Sequence, residues 1–286
     1  AFGHKPMAQK LAPYLKDGQI VTLNPGAVFG AVEFLNTLRE FGNTADVTIA
    51  ETSSNMFATR RIGQDTVRIN AVKKKLPIAT IPSNRVDLVV DKLKDFFDSY
   101  VTAPSTILTS LLYTNPVLHT PGILLNTGWI ERTGGNFNFY YDGISPSVAK
   151  VGLGIDKERC AVSLAMGYPS MTLMEQLIDW YGQTDTTDIY AYYHHSKVHS
   201  GNKEEKDAPA DLISTRYISE DVPYGLVPIS EIAKVFDVPT FHIDAFITLS
   251  STVNDTNYRE EGRNLKSLGL DLKSKEEIIH FINYGE

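Results

Sequence analysis

The stretch that most constrains this chain runs from Ile20 to Ala50. Ile20-Val21-Thr22-Leu23 is a short apolar run between Gly18 and Asn24-Pro25-Gly26, so it reads as a buried strand ending in a tight turn. Ala27–Phe41 then sets Val28, Ala31, Val32, Leu35 and Leu38 at helical spacing, and Gly42 stops it. Asp46–Ala50 is the next strand. Strand, glycine-bearing turn, helix and strand make one βαβ unit. In open sheets of that kind ligands sit beyond the carboxyl ends of the strands. Asn24, Pro25 and Gly26 are therefore the cofactor-binding candidates, although a turn chosen only for its geometry accounts for them equally well.

Beyond that unit, Thr66–Val72 and Leu76–Ile81 read as extended segments joined by a solvated turn, Lys73-Lys74-Lys75. A helix capped by Ser83 or Asn84 runs to Asp98, with Val86, Val89, Val90, Leu93, Phe96 and Phe97 facing inward. From about Ala103 strand patterns give way to helical ones: Ser105–Tyr113, Pro116–Leu125, Ser145–Ala165, Leu173–Trp180, Thr187–His194, Pro228–Val235, Thr240–Val253 and Lys275–Ile282. Helices in such succession imply a helical domain with its own core. The division is thus residues 1–103, α/β, and 104–286, all-α. Between the helices, 197–211 (KVHSGNKEEKDAPAD) reads as an exposed loop. At the other end, Ala1-Phe2-Gly3 leads without Met into a helix over Pro6–Leu15, the look of a chain entered partway through a fold.

Composition narrows the function classes. Of 286 residues, 42% are hydrophobic and 21% charged, as in ordinary globular proteins. A net charge of −7 and a pI of 5.5 argue against nucleic acid or an anionic membrane as the main partner. The single cysteine, Cys160, cannot form an intrachain disulfide, which fits a reducing cytoplasm. No apolar run approaches the roughly 18 residues of a membrane helix. Small molecules are the expected partners, with a homodimer as the assembly left open.

Two stretches could carry chemistry. In Leu111–Ile130, Asn115-Pro116 reads as a helix start, Asn at the N-cap and Pro at the first helical position. His119 falls in that helix's first turn or just past it, where the dipole disfavours an imidazolium. A charged His119 there needs a carboxylate partner; a hydrogen-bonded core histidine is the plainer reading. In Arg216–Gly225, an arginine and two acids crowd into a segment that Pro223 and Gly225 hold away from regular helix. A guanidinium can clamp a carboxylate bidentately, and an acid can orient a histidine. Elsewhere, His195 and His199 stand four apart, but without an HExxH frame they read as a surface cluster, not a metal site. Tyr190, Tyr192 and Tyr193 read as core packing.

NPVLHTPGILLNTG, taken with RYISEDVPYGLVPI, resembles the NAD/NADP octopine/nopaline (opine) dehydrogenase family. PYLKDGQIVTLNPG, ending at Gly26, and GRNLKSLGL, Gly262 to Leu270, are similar to it too. The resemblance implies the C-terminal portion of a Rossmann-type domain followed by a helical opine-dehydrogenase-type domain, with the active site between them. It implies joining an amino acid to an α-keto acid such as pyruvate and reducing the imine with NADH or NADPH. His119 matches the family's catalytic histidine, Asp221 its acid partner, and Arg216 the arginine five residues before that acid. Asn115 joins Arg216 as a substrate-binding candidate.

There are two departures. The GxGxxG fingerprint and the acid that follows it are absent, so roughly 60–90 residues at about 30 per βαβ unit are expected before Ala1. This chain alone is then expected to bind a dinucleotide poorly. Ala27 also stands where relatives often carry Arg after NPG. A related keto-acid or hydroxy-acid reductase, or an inactive binding module, are the alternatives. Independently of the family, a histidine can serve the proton transfers of such a condensation, and each substrate brings a carboxylate that Arg216 could clamp. His119 and Asp221, if paired in that way, should lie within hydrogen-bonding reach.

Overall fold

The computed structural model describes all residues except 183–184, 202 and 213–214, and only the backbone of Arg61. Its strands are β1 (Ile20–Leu23), β2 (Thr48–Thr52), β3 (Phe57–Arg61), β4 (Val67–Val72), β5 (Leu76–Ile81) and β6 (Tyr100–Thr102). One sheet has the order β1-β2-β5-β6, and β3 and β4 form a separate two-stranded sheet. β1 runs parallel to β2 with Ile20 opposite Thr48. β5 runs antiparallel to β2 with Ile49 opposite Ile81, and β6 parallel to β5. β3 and β4 pair antiparallel with an irregularity at Ala58/Thr59.

Helices α1 (His4–Leu11), α2 (Gly30–Glu40) and α3 (Val86–Leu93) accompany the strands. α2 begins three residues later than its spacing suggests. Ala27 and Phe29 take left-handed backbone angles (φ 54° and 58°), and Val28 N–H donates to Tyr224 O at 3.2 Å instead of starting the helix. The buried face of α2, with Val32, Phe34, Leu35 and Leu38, covers the sheet. α3 ends at Leu93, so Phe97 stays buried while Phe96, expected inside, is 85% exposed.

After Thr102 the described residues are helical or irregular. The helices are α4 (Thr106–Leu111), α5 (Asn115–Leu124), α6 (Thr127–Thr133), α7 (Pro146–Ala165), α8 (Leu173–Tyr181), α9 (Ile189–His195), α10 (Arg216–Ser219), α11 (Val227–Val235), α12 (Phe241–Val253), α13 (Tyr258–Glu261) and α14 (Lys275–Tyr284), with a π-helical turn at Val222–Leu226. Local chemistry sets several ends: Ser145 caps α7 before Pro146, and Thr172/Glu175 and Ser274/Glu277 form capping boxes on α8 and α14. Inside α7, Gly152 lets α5 come close, since a Cβ there would sit 2.6 Å from Val117 O and Leu118 Cδ2.

One apolar core runs without a break from Phe34 and Ile49 through Ile107 and Leu111 to Val117, Ile155, Leu226 and Ile243. The helical part therefore does not stand off from the sheet: Thr109 and Ser110 of α4 donate to Glu51 of β2. No helix among the described residues is long and apolar enough to cross a membrane.

β4 pairs with β3, a strand that the pattern FATRR did not reveal. Two expectations need correction. Lys73, read as part of a solvated turn, is 4% exposed. The segment 197–211 turns His199 toward an internal cavity and buries Ser200; Asn202 within it lies outside the described residues.

Candidate active site

α5 brings His119 to the centre of the site, and the π-helical turn brings Asp221. Gly225 packs on Pro116, where a Cβ would approach Pro116 Cγ to 2.5 Å. That close approach presses residues 221–226 against the first turn of α5. His119 Nδ1 consequently lies 2.6 Å from Asp221 Oδ2, the contact expected from the sequence. Both side chains are largely buried, 13% and 4% exposed. The other carboxylate oxygen of Asp221 accepts from Tyr113 Oη at 2.9 Å, and that hydroxyl accepts from Asn115 Nδ2 at 3.1 Å. Asn115 is not the helix cap it resembles; Thr114 precedes the helix and no side chain caps it.

These bonds define the histidine tautomer. A carboxylate only accepts, so Nδ1 carries the hydrogen, and in the neutral ring Nε2 keeps the lone pair. Nε2 lies 2.8 Å from Tyr140 Oη, which then donates. Burial, above all, holds both Tyr113 and Tyr140 well above the ordinary tyrosine range, with the negative charge of Asp221 adding at Tyr113. Both therefore remain phenols that can donate. Tyr217 stacks on the imidazole at 4.0 Å between centroids, which fixes its plane. Arg60, from β3, lies 5.3 Å over the Tyr140 ring and pairs with Asp207 at 3.3 Å.

His119 borders two cavities. One, of about 110 Å³, lies under the β3–β4 hairpin and is lined by Arg60, Lys73, Tyr140, Trp180 and His199 among others. The second, of about 210 Å³, reaches Pro25, Tyr113 and Asp221. Asn115, His119, Arg216 and Tyr217 line both. Arg216 is exposed and makes no ion pair among the described residues.

Of the three turn residues, Pro25 joins the second cavity, while Asn24 and Gly26 line neither. Asn24 Oδ1 accepts from Thr52 Oγ1 at 3.2 Å. Gly26 is required by packing, because a Cβ would meet Glu51 Oε2 at 2.3 Å. Glu51 is fully buried. It accepts from Ala31 N–H at 2.9 Å and from the hydroxyls of Thr109 and Ser110, both at 2.8 Å, and burial pushes its pKa up to about 6. Arg263, also fully buried, donates to Gly26 O and Val28 O at 3.2 and 3.1 Å and to Glu33 Oε2 at 2.9 Å. The GRN stretch thus steadies the turn from the far end of the chain.

The three neighbouring histidines do not converge. His194 stacks on Tyr141 at 4.0 Å, and His195 Nδ1 pairs with Ala191 O. His199 is not at the surface, as its setting suggested: it lines the hairpin cavity, and burial pushes its pKa down to about 3, with Arg60 and Lys73 adding. No group of three or more His, Cys, Asp or Glu among the described residues could hold a metal. Sequence reasoning missed Tyr113, Tyr140, Arg60, Lys73, Glu51 and Arg263. Two carried a usable signal: Tyr113, two residues before Asn115, and Arg263, inside the GRNLKSLGL stretch.

Residues 102–254 match the family described as NAD/NADP octopine/nopaline dehydrogenase, alpha-helical domain. The chain is 37% identical over 270 residues to an opine dehydrogenase of Arthrobacter sp. (strain 1C), covering 94% of this chain and 73% of that protein. In fold it is similar to octopine dehydrogenase in complex with NADH and agmatine, with a TM-score of 0.74 at 19% identity, covering all of this chain and 76% of that one. It is also similar to NADP+-bound yersinopine dehydrogenase, with a TM-score of 0.64 at 15% identity, covering 95% and 72%. The architecture is accordingly that of a Rossmann-type part joined to a helical part, and the chain belongs to the NAD/NADP octopine/nopaline dehydrogenase family.

Proposed function

We propose that this chain is the catalytic body of an NAD(P)H-dependent opine dehydrogenase. The reaction joins the amine of an amino acid to the carbonyl of an α-keto acid and reduces the resulting imine to a secondary amine dicarboxylate. One observation carries the reading: the hydrogen-bonded run Tyr113–Asp221–His119–Tyr140, flanked by Arg216, which makes no ion pair among the described residues. In the proposed division of labour the dinucleotide is held by residues of 1–103, and the proton-transfer groups come from 104–286. The single cysteine suits a cytosolic setting.

Bound NAD(P)H supplies the hydride that reduces the imine carbon. Asn24, Pro25 and Gly26 would hold its nicotinamide end. They stand at the carboxyl end of β1, where such sheets bind ligands, and Pro25 shares a cavity with His119. The other residues act on the substrates. Arg216 clamps the keto-acid carboxylate, a planar fork for a planar anion. As the amine condenses with the carbonyl, nitrogen loses two protons, oxygen gains two and leaves as water, and the imine nitrogen takes up one proton as it is reduced. His119 Nε2 is the ring nitrogen open to this traffic, because Nδ1 is held by Asp221. Tyr140 is its present partner, so protons pass between Nε2 and substrate through the Tyr140 hydroxyl. Asp221 balances the charge that His119 gains in mid-reaction, and Tyr113 with Asn115 keeps Asp221 in place.

The test, on the intact enzyme, is oxidation of reduced cofactor with a keto acid alone, an amino acid alone, and both. Turnover that needs both, with a secondary amine product identified by mass, supports the reading. Turnover with a keto acid alone would make the protein a simple keto-acid reductase.

A further inference from the structure

The hairpin cavity contains a cation that the condensation chemistry above does not employ. Lys73 follows β4 directly and is 4% exposed. Its Nζ donates to Asn55 O at 2.7 Å and lies 4.6 and 5.7 Å from the ring centroids of Trp180 and Tyr181. No carboxylate of the described residues stands within 4 Å of it. An ammonium has three donors, and a buried one without a counter-ion is costly; burial accordingly pushes its pKa down to about 8. At neutral pH it still carries its charge.

The surroundings do not supply the missing anion. No Asp or Glu lines this cavity. Arg60 is matched by Asp207, and His199 is kept neutral by burial. Among the described residues that line the cavity, two cations remain unmatched, Arg216 and Lys73. Arg216 borders both cavities, including the one that reaches Pro25, while Lys73 borders only the one under the hairpin. An opine-forming reaction must seat two carboxylates, one from each substrate.

Resting on the opine dehydrogenase reading, we propose that Lys73 receives a carboxylate of the amino-acid substrate, and that this cavity accepts neutral and acidic amino acids while rejecting basic ones. Rejection follows from the same geometry. A cationic side chain would find no acid, would meet Lys73 and Arg60, and would find Trp180 and Tyr181 already covered by Lys73. Like-charge juxtaposition of this kind is an effective device for specificity.

The experiment compares wild type with Lys73→Met and Lys73→Arg in steady-state assays. Pyruvate is the keto acid, and valine, glutamate, arginine and the carboxylate-free isobutylamine are the amine donors. Calorimetric titration with each donor runs alongside. Losing a charged hydrogen bond costs about 1.5–3 kcal/mol, so Lys73→Met should raise the KM for valine about 10–100-fold. The KM for pyruvate should hardly move, and Lys73→Arg should retain much of the binding. Wild type should use arginine and isobutylamine far less well than valine, and the penalty against arginine should shrink in Lys73→Met. If glutamate is preferred over valine and loses more on substitution, the side-chain carboxylate is the one held; equal losses assign the α-carboxylate. A folded Lys73→Met with unchanged amino-acid KM and unchanged calorimetric affinity overturns the proposal. So does wild type that uses arginine as readily as valine, and so does unfolding of both variants, which would make Lys73 a structural residue. Failure of the opine reading has a different signature, no turnover that requires both substrates, and the calorimetric arm still reports on Lys73.

Discussion

Tyr140 Oη lies 2.8 Å from His119 Nε2, on the opposite side of the ring from Asp221 Oδ2 at 2.6 Å. The imidazole is therefore bonded on both nitrogens and stacked by Tyr217, so its orientation is set before substrate arrives. That preorganisation is what proton transfer to a positioned group requires. Tyr140→Phe keeps the ring and its contact with Arg60 but removes the donor. It should lower kcat about 10²-fold, the small end of the range for proton-transfer groups, and leave the keto-acid KM nearly unchanged. Stopped-flow and steady-state rates check this, and an unaltered kcat would show that substrate simply displaces the hydroxyl.

Asp221→Asn tests the second half of the arrangement. An amide can offer its N–H to Nδ1, which favours the wrong tautomer and puts the hydrogen on Nε2. Turnover should fall about 10²–10⁴-fold, while circular dichroism and melting temperature stay near wild type because Tyr113 can still donate to the amide oxygen. Tyr113→Phe should do less damage, since Asp221 keeps His119 as its partner.

Arg216→Lys bears on the keto acid. An ammonium cannot form the two-pronged bond of a guanidinium, so the KM for pyruvate should rise about tenfold, the scale of one charged hydrogen bond, with kcat changed less. A variant that loses kcat and keeps its KM would move Arg216 from substrate binding to another role.

How far the site was legible depends on where chemistry left a pattern. His119 and Asp221 stand in stretches whose apolar spacing, prolines and glycines define short rigid elements, and the packing of Gly225 on Pro116 joins them. The helices from α4 to α14 were mostly readable for the same reason: their apolar residues recur at helical spacing and serine, threonine or proline starts them. β3 was not readable, because FATRR has no alternation and pairs only with an exposed β4. Lys73 was hidden by Lys74 and Lys75, since a run of three lysines reads as solvent-facing until tertiary packing singles one out. Tyr140 lay in a glycine- and asparagine-rich stretch without a period, and only the fold brings it to Nε2. Asn115 had the right residue type for a cap, but tertiary structure turned its amide to Tyr113 instead.

Glu51 gives a pH-dependent stability prediction. Burial raises its pKa from 4.5 in the unfolded chain to about 6 in the fold. A raised acid pKa means the folded state binds the proton more tightly, so this contribution is fully present below about pH 4.5 and is lost as pH rises through about 6. Its size is about 2 kcal/mol. Glu51→Gln has no such titration, so the stability of wild type relative to this variant should be greatest near pH 4.5 and smaller above pH 6. Urea unfolding of both proteins across pH 4.5–7 measures the difference, and a gap that stays constant would contradict the assigned burial effect.

The most direct test of the account is product analysis with the intact enzyme, wild type and His119→Ala, each given pyruvate, an amino acid and reduced cofactor. The account predicts that wild type forms a secondary amine dicarboxylate only when both substrates are present, and that His119→Ala forms it about 10²–10⁴-fold more slowly with cofactor binding preserved. Equal rates in the two proteins, or cofactor oxidation that ignores the amino acid, would contradict it.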